Sequence, residues 1–316
     1  MIFRKFQWPA LAFLLATAPL LAGAAVCELK EAEDAVLQRQ LTRVLEVHNL
    51  GPAARRGDLA VSLLVLTDPD QPRLAQINGH EMLYAASLPK IAILLGAAVD
   101  LEQGRLQLTP TLEQDIHNMI RYSCNDCSNR VLERVGREHL LDILQSPHYA
   151  FYDPERGGGL WMGKDYGPNP AYHRDPLAGL SHGATAFQVA RFYCGLQRGG
   201  LVGPEQTRLM REAMVEPGIH HKFVKGLSGH DELTLYRKSG TWRDFHADSA
   251  LVESDDAVYV MVGLARNPHG SLWLERLAEP LHRLATREPV ATIVSESGAP
   301  ASATPAASAR GTGPAP

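Results

Sequence analysis

The spacing of apolar residues along the chain changes from strand-like to helical and back to strand-like. Residues 59–67 (LAVSLLVLT) are rich in β-branched and aliphatic residues, which is typical of a buried strand. Residues 73–78 follow across the turn Asp68-Pro69-Asp70 and are the expected hairpin partner. Helical spacing dominates residues 88–144, so the pattern predicts a helical block after this first hairpin.

Strand-like sequence returns late in the chain. Residues 233–238, 247–253 and 257–264 predict an antiparallel meander with turns at Arg243-Asp244 and Asp255-Asp256. Helical spacing also predicts helices over residues 28–48, 185–196 and 271–284.

Strand material therefore lies near both ends of the chain, with helices between. This order predicts an α+β fold, in which an antiparallel sheet lobe is assembled from both termini and an all-helical lobe is inserted between its halves. Residues 28–290 are expected to form this domain. The irregular segment 145–184 is long enough to be a functional loop.

Both ends of the chain have compositions that set them apart from this domain. Arg4, Lys5, an apolar stretch and Ala22-Gly23-Ala24 predict a signal peptide over residues 1–24. The mature protein is then expected to be periplasmic or secreted, with no stable membrane span after signal removal. Residues 291–316 are rich in Ala, Pro and Ser, and we expect them to be disordered.

The charge balance narrows the range of partners. The formal net charge is −4, which gives no basic footprint for nucleic acid. Small molecules or cell-wall material are the expected partners. The sequence places no complete set of metal ligands, so neither a metal nor another cofactor is predicted.

The chain has four cysteines, which an oxidising compartment would allow to form disulfides. Cys27, Cys124, Cys127 and Cys194 permit three complete pairings, and the sequence does not choose among them. Cys124 and Cys127 have the C-x-x-C spacing of redox and zinc sites. No second such pair accompanies them, so a structural role is favoured.

Ser87-Leu88-Pro89-Lys90 is an S-x-x-K element at the predicted start of a helix. A serine hydroxyl needs a base before it becomes a good nucleophile, and a buried lysine has a lowered pKa suited to that task. The alternative is a helix cap followed by a surface lysine. Apolar sequence on both sides predicts that the pair is buried, which favours a functional role for Ser87 and Lys90.

Two further elements carry groups suited to the same chemistry. In Ser123-Cys124-Asn125, the hydroxyl can relay a proton and the amide can hold a substrate carbonyl, although a helix N-cap is the simpler interpretation. Lys238-Ser239-Gly240-Thr241 ends a predicted strand. Lys238 and Ser239 can bind a carboxylate, Gly240 permits close approach, and the Thr241 N–H can pair with that of Ser87 as an oxyanion hole.

The three elements occur in the order found in serine β-lactamases and penicillin-binding proteins, and the chain resembles that superfamily. Tyr122-Ser123-x-Asn125, with Asn129 beyond it, is most similar to class A β-lactamases. The resemblance covers about residues 29–284 and implies a β-lactamase/transpeptidase-like fold. It also implies site roles: Ser87 as nucleophile, Lys90 as its proton partner, Ser123 as proton relay, Lys238 as carboxylate anchor, and Asn125 with Ser239, Gly240 and Thr241 in substrate binding.

The chain also departs from the class A pattern. Cys124 stands where class A enzymes usually carry Asp. Those enzymes activate the deacylating water with the Glu of an E-x-x-L-N motif, and no Glu of this chain begins such a motif. Glu155 and Asp165 lie in the corresponding loop without the expected neighbours.

The sequence therefore predicts a serine hydrolase that forms an acyl-enzyme with β-lactams or related cell-wall amides. Acylation is better supported than rapid turnover. Two alternatives stay open: an esterase or D-alanyl-peptide hydrolase, and a penicillin-binding protein that binds or acylates without turnover.

Overall fold

The computed structural model describes residues 26–29 and 31–287. The predicted signal peptide and C-terminal tail lie outside these residues and stay predictions. In chain order the helices are α1 (Ala35–Val47), α2 (Gly51–Arg55), α3 (Lys90–Glu102), α4 (Pro110–Arg121), α5 (Asn125–Val135), α6 (Arg137–Gln145), α7 (Ala186–Gln197), α8 (Pro204–Met214), α9 (Phe223–Gly226) and α10 (Gly270–Thr286). The strands are β1 (Leu59–Val65), β2 (Arg73–Ile77), β3 (Leu83–Tyr84), β4 (Tyr152–Asp153), β5 (Gly158–Gly159), β6 (Trp161–Met162), β7 (His182–Ala184), β8 (Thr234–Trp242), β9 (Phe245–Glu253) and β10 (Val258–Arg266).

The main sheet joins strands from the two ends of the chain. Its order is β2-β1-β10-β9-β8, and all neighbours are antiparallel. β1 pairs with β10 from Leu59 opposite Ala265 to Val65 opposite Tyr259. All seven residues of β1 are buried, as a run that is aliphatic apart from Ser62 predicts.

Helices cover both faces of this sheet. α1 and α10 pack on one face, where they form a core with the leucines of both helices. α7 packs on the other face against β1, β9 and β10. Each face therefore has its own apolar core, and β8 remains as an open edge strand.

The helical lobe is built around α3. Residues from Lys90 to Asp100 are all buried, because α4, α5, α6 and α8 surround this helix. A helix that is apolar on every side is stable only in such a central position. The architecture confirms the predicted α+β fold with its inserted helical lobe.

Some element boundaries differ from the predictions. α1 begins at Ala35 rather than residue 28, because the Asp34 carboxylate caps the helix by accepting from the N–H groups of Val36 and Leu37. α8 was not predicted from the sequence. No helix among the described residues is long and apolar enough to cross a membrane.

All four cysteines form disulfides. Cys27 pairs with Cys194 across 167 residues of sequence, and Cys124 pairs with Cys127. The first disulfide fixes the start of the described chain to α7, and the second lies at the start of α5.

Candidate active site

Ser87 lies in the turn between β3 and α3. The Ala85 N–H donates to His182 O at 2.9 Å, which fixes the chain before the turn. Ala86 has a positive φ of 51°, and the Lys90 N–H donates to Ser87 O at 3.3 Å. Because α3 begins only at Lys90, Ser87 precedes the helix in a tight turn instead of opening it. Ser87 lines a cleft of about 630 Å³.

Lys90 is completely buried beneath this turn. Its Nζ donates to Ser123 O at 2.6 Å and to Asn125 Oδ1 at 2.8 Å, and it lies 3.3 Å from Ser123 Oγ. Among the described residues, no hydrogen bond joins it to the Ser87 hydroxyl. Burial lowers the pKa of Lys90 to about 7, so that much of the amine is neutral near neutral pH.

Ser123 connects the two buried lysines of the site. Its hydroxyl lies 3.0 Å from Lys238 Nζ and 3.3 Å from Lys90 Nζ. The residue has a φ of 58°, a left-handed conformation in which its carbonyl accepts from Lys90. A hydroxyl placed between two amines can pass a proton between them, which is the geometry that a relay requires.

Lys238 is buried on β8, where its Nζ also donates to Ser239 O at 2.8 Å. Burial lowers its pKa well below the usual range, and the nearby charge of Lys90 acts in the same direction. The two lysines are therefore costly to protonate together. Both amines contact the Ser123 hydroxyl.

Gly240 brings β8 against the chain that carries Ser87. A Cβ atom at this position would lie 2.1 Å from Ala85 O and 2.7 Å from Ser87 N. Only glycine permits this approach. Trp242 and Phe245 close the two-residue turn of the hairpin, so the next pair, Thr241 and His246, directs its backbone groups away from the partner strand. The Thr241 N–H thus points from the open sheet edge towards the cleft that Ser87 lines.

A third buried lysine, Lys222, supports this strand from behind, and no motif of the sequence indicates it. Lys222 Nζ donates to Gly240 O at 2.7 Å, to Thr241 Oγ1 at 2.8 Å and to Ala247 O at 3.0 Å. Burial lowers the pKa of Lys222 to about 8. The side chain fixes the position of the Thr241 backbone that faces the cleft.

Tyr166 occupies the space beside Lys90 and was also missed by the sequence analysis. Its ring centroid lies 4.3 Å from Lys90 Nζ, and its hydroxyl donates to Ala86 O at 3.2 Å. Asn129 fixes the backbone of Tyr166 with two hydrogen bonds of 2.8 Å, one to its N–H and one to its carbonyl. Burial raises the pKa of Tyr166 well above the usual range, so the phenol stays protonated.

The histidine and the carboxylate nearest to Tyr166 are both engaged in packing or ion pairing. His182 lies with its ring 4.6 Å from that of Tyr166, and burial lowers its pKa to about 4, so it is neutral. Asp165 binds Arg137 through both oxygens, at 2.8 and 2.6 Å. Glu155, in the short 3-10 helix Pro154–Arg156, is exposed and does not line the cleft.

The rest of the cleft combines aromatic and cationic side chains. Tyr84, Trp242 and Phe245 form an aromatic wall, with Tyr84 ring centroids 5.4 and 5.2 Å from those of the other two. Lys164 and Arg174 line the cleft as well. Asp165 is the only carboxylate among the described lining residues, and Arg137 neutralises it.

The predicted residues thus meet at one place, where the helical lobe faces the open edge of β8. Residues 107–287 match the family model described as the β-lactamase enzyme family. This match covers more than half of the chain. The protein is a member of the β-lactamase enzyme family. Membership makes it an enzyme of the serine hydrolase type, and the match includes the second and third elements but begins after Ser87 and Lys90.

Solved structures agree with the fold of the family. The chain is similar to a β-lactamase from Sphaerobacter thermophilus DSM 20745, with 16% identity, a TM-score of 0.59, and coverage of 74% of this chain and 92% of that one. It is similar to PBP-A, with 16% identity, a TM-score of 0.58, and coverage of 79% of this chain and 96% of that one. It is also similar to a variant of the last common ancestor of Gram-negative bacteria β-lactamase class A. The identity is 17%, the TM-score is 0.60, and the match covers 79% of this chain and 98% of that one. No curated protein matches the chain.

Proposed function

We propose that this family member is a secreted serine hydrolase that forms a long-lived acyl-enzyme through Ser87 with β-lactams or related cell-wall amides. The observation that carries the proposal is the chain of contacts from Lys90 through the Ser123 hydroxyl to Lys238. In this proposal Lys90 is the base, Ser123 the relay and Lys238 the cation, and all three lie beside the turn that holds Ser87. The predicted export of the chain supports a cell-wall substrate.

Acylation follows from these positions. Neutral Lys90 takes the proton of the Ser87 hydroxyl, directly or through Ser123, as the serine oxygen attacks the amide carbonyl. The N–H groups of Ser87 and Thr241 stabilise the negative charge that develops on the carbonyl oxygen. Ser123 then delivers the proton to the departing nitrogen, which breaks the amide bond and leaves the acyl group on Ser87.

Among the described residues that line the cleft, deacylation has no unpaired carboxylate to serve as its base. In the class A pattern, the step needs a water molecule from which a carboxylate removes a proton. Tyr166 fills the space beside Lys90 with a protonated phenol, and Asp165 is bound by Arg137. We therefore expect the acyl-enzyme to accumulate, which favours the penicillin-binding alternative over rapid turnover.

The cleft favours an anionic substrate with an apolar acyl group. Lys238 and Ser239 lie on β8 before Thr241, and Trp242 follows it. A substrate whose carbonyl lies at Thr241 and whose carboxylate lies near Lys238 would extend its acyl group towards Trp242. That side chain is 46% exposed, and it forms the aromatic wall with Tyr84 and Phe245.

Intact-mass spectrometry with benzylpenicillin tests the proposal. We expect a mass increase equal to one penicillin on the peptide that contains Ser87, persisting for many minutes after excess drug is removed. Ser87→Ala should abolish the increase, whereas Ser228→Ala, at an exposed serine outside the cleft, should retain it. Fast turnover without an adduct would contradict slow deacylation. Labelling by an activated ester but by no penicillin would favour the esterase alternative.

A further inference from the structure

The Cys124–Cys127 disulfide begins inside the S-x-N element, at its middle residue. Cys124 stands between Ser123 and Asn125, and Cys127 is buried in the core of the helical lobe. We propose that this disulfide is a positioning cross-link that holds Ser123 and Asn125 against Lys90 and thereby sets the rate of acylation. The inference rests on the proposed function of Ser87.

The segment that the disulfide holds has a demanding backbone conformation. Ser123 has a φ of 58°, which a residue other than glycine adopts only where its surroundings enforce it. Cys124 is the N-cap of α5, where its Sγ accepts from the Cys127 N–H at 3.1 Å. Helix ends fray readily, and the cross-link closes the first turn of α5 covalently. It therefore restrains the residue that follows the strained Ser123.

The restrained segment supplies the hydrogen-bond acceptors of Lys90. Lys90 Nζ contacts Ser123 O at 2.6 Å, Asn125 Oδ1 at 2.8 Å and Cys124 O at 3.4 Å. The Ser123 hydroxyl also meets Lys238 Nζ. A displacement of about 1 Å in such a group reduces the rate of a reaction by about 100-fold, because reacting atoms lose their alignment. A cross-link at Cys124 therefore acts on both the base and the relay.

The Cys27–Cys194 disulfide provides a matched control. It closes a loop of 167 residues and fixes the start of the described chain to α7, and neither cysteine lines the cleft. Removing a cross-link from a long loop destabilises a protein more than removing one from a short loop. Removing the two disulfides should thus affect different properties. Loss of Cys27–Cys194 should lower stability, and loss of Cys124–Cys127 should lower the rate of acylation.

The test compares Cys124→Ser/Cys127→Ala with Cys27→Ala/Cys194→Ala. Serine at position 124 keeps an acceptor for the helix cap. We expect the first variant to lower the limiting rate of acylation by benzylpenicillin by about 30-fold, with little change in Tm. Asn125 lines the cleft, so the noncovalent affinity for penicillin, measured with Ser87→Ala, should also fall, but by less than the rate of acylation does. The control should have a lower Tm and an acylation rate within about threefold of wild type.

Hydrogen–deuterium exchange gives a readout that does not depend on acylation. The amides of residues 122–126 should exchange faster in Cys124→Ser/Cys127→Ala than in wild type, and not in the control variant. Unchanged exchange, or acylation within threefold of wild type, would overturn the positioning role. If penicillin labels no form of the protein, the proposed function fails, while the exchange result still decides what the cross-link holds.

Discussion

At the scale of single residues, the proposed role of Lys90 as the base predicts that the rate of acylation depends on pH. Only its neutral amine accepts the Ser87 proton, and burial lowers the pKa of Lys90 to about 7. The amine is increasingly protonated as the pH falls below that value. Acylation by benzylpenicillin should therefore slow by about tenfold per pH unit below 7 and level off above it. Adduct formation followed from pH 5 to 9 measures this, and a flat profile would exclude Lys90 as the base.

Gly240 allows a second prediction at this scale. Gly240→Ala would place a Cβ atom 2.1 Å from Ala85 O, so the turn that carries Ser87 must move away from β8. We expect acylation to fall by about 100-fold and stability by about 2 kcal/mol, measured by mass spectrometry and denaturant unfolding. Gly229→Ala is the matched control, because its Cβ would meet nothing within 4 Å. Similar acylation in both variants would show that the close approach is unimportant.

The sequence indicates the residues of the predicted site but not the residues that hold them in position. Ser87, Lys90, Ser123 and Lys238 stand in recognisable short motifs, and the structure brings them together. Tyr166 and Lys222 have no such motif. Both contact the site from distant parts of the sequence: Tyr166 contacts Lys90 and Ala86, and Lys222 donates to Gly240 O. Contacts of this kind depend on tertiary packing, which local spacing does not encode.

At the scale of elements, the proposed function predicts that the loop carrying Tyr166 sets the lifetime of the acyl-enzyme. Tyr166→Glu would place a carboxylate beside Lys90 in the space of the phenol ring. We expect the adduct lifetime to shorten by about tenfold or more, since a base becomes available for water. The new negative charge should also raise the pKa of Lys90 and shift the pH profile of acylation upwards.

Time-resolved intact-mass spectrometry and the pH profile measure both effects. Tyr166→Phe serves as the control because it retains the ring and removes only the hydroxyl. It should keep a long-lived adduct. An unchanged lifetime in Tyr166→Glu would mean that a missing base is not what limits deacylation.

The elements themselves were predictable where one signal dominated. The aliphatic run of β1 and the helical spacing of α3 indicate burial on all sides, as the structure shows. The predicted start of α1 was wrong because the chain before the Asp34 cap contacts β2 through the bridge between Glu33 and Leu74. α8 begins with a proline after Gly203, and no acidic or hydroxyl cap precedes it to mark its start.

At the scale of the whole molecule, the Cys27–Cys194 disulfide ties the start of the described chain to α7. It closes 167 residues, so its removal should destabilise the protein by about 4 kcal/mol, because the unfolded chain gains conformational freedom. Denaturant unfolding of Cys27→Ala/Cys194→Ala measures this loss. Cys124→Ser/Cys127→Ala is the short-loop comparison, and a larger loss there would contradict the expectation.

The pairing of β1 with β10 sets a condition on when the enzyme becomes active during its synthesis. A growing chain that has reached the end of α8 already contains Ser87, Lys90 and Ser123, yet β1 still lacks β10, and the edge strand with Lys238 and Thr241 does not exist. Nascent chains should therefore be inert towards acylating agents until the ribosome has passed residue 266. Chains truncated before residue 234 should therefore remain unlabelled by penicillin, even though they contain Ser87.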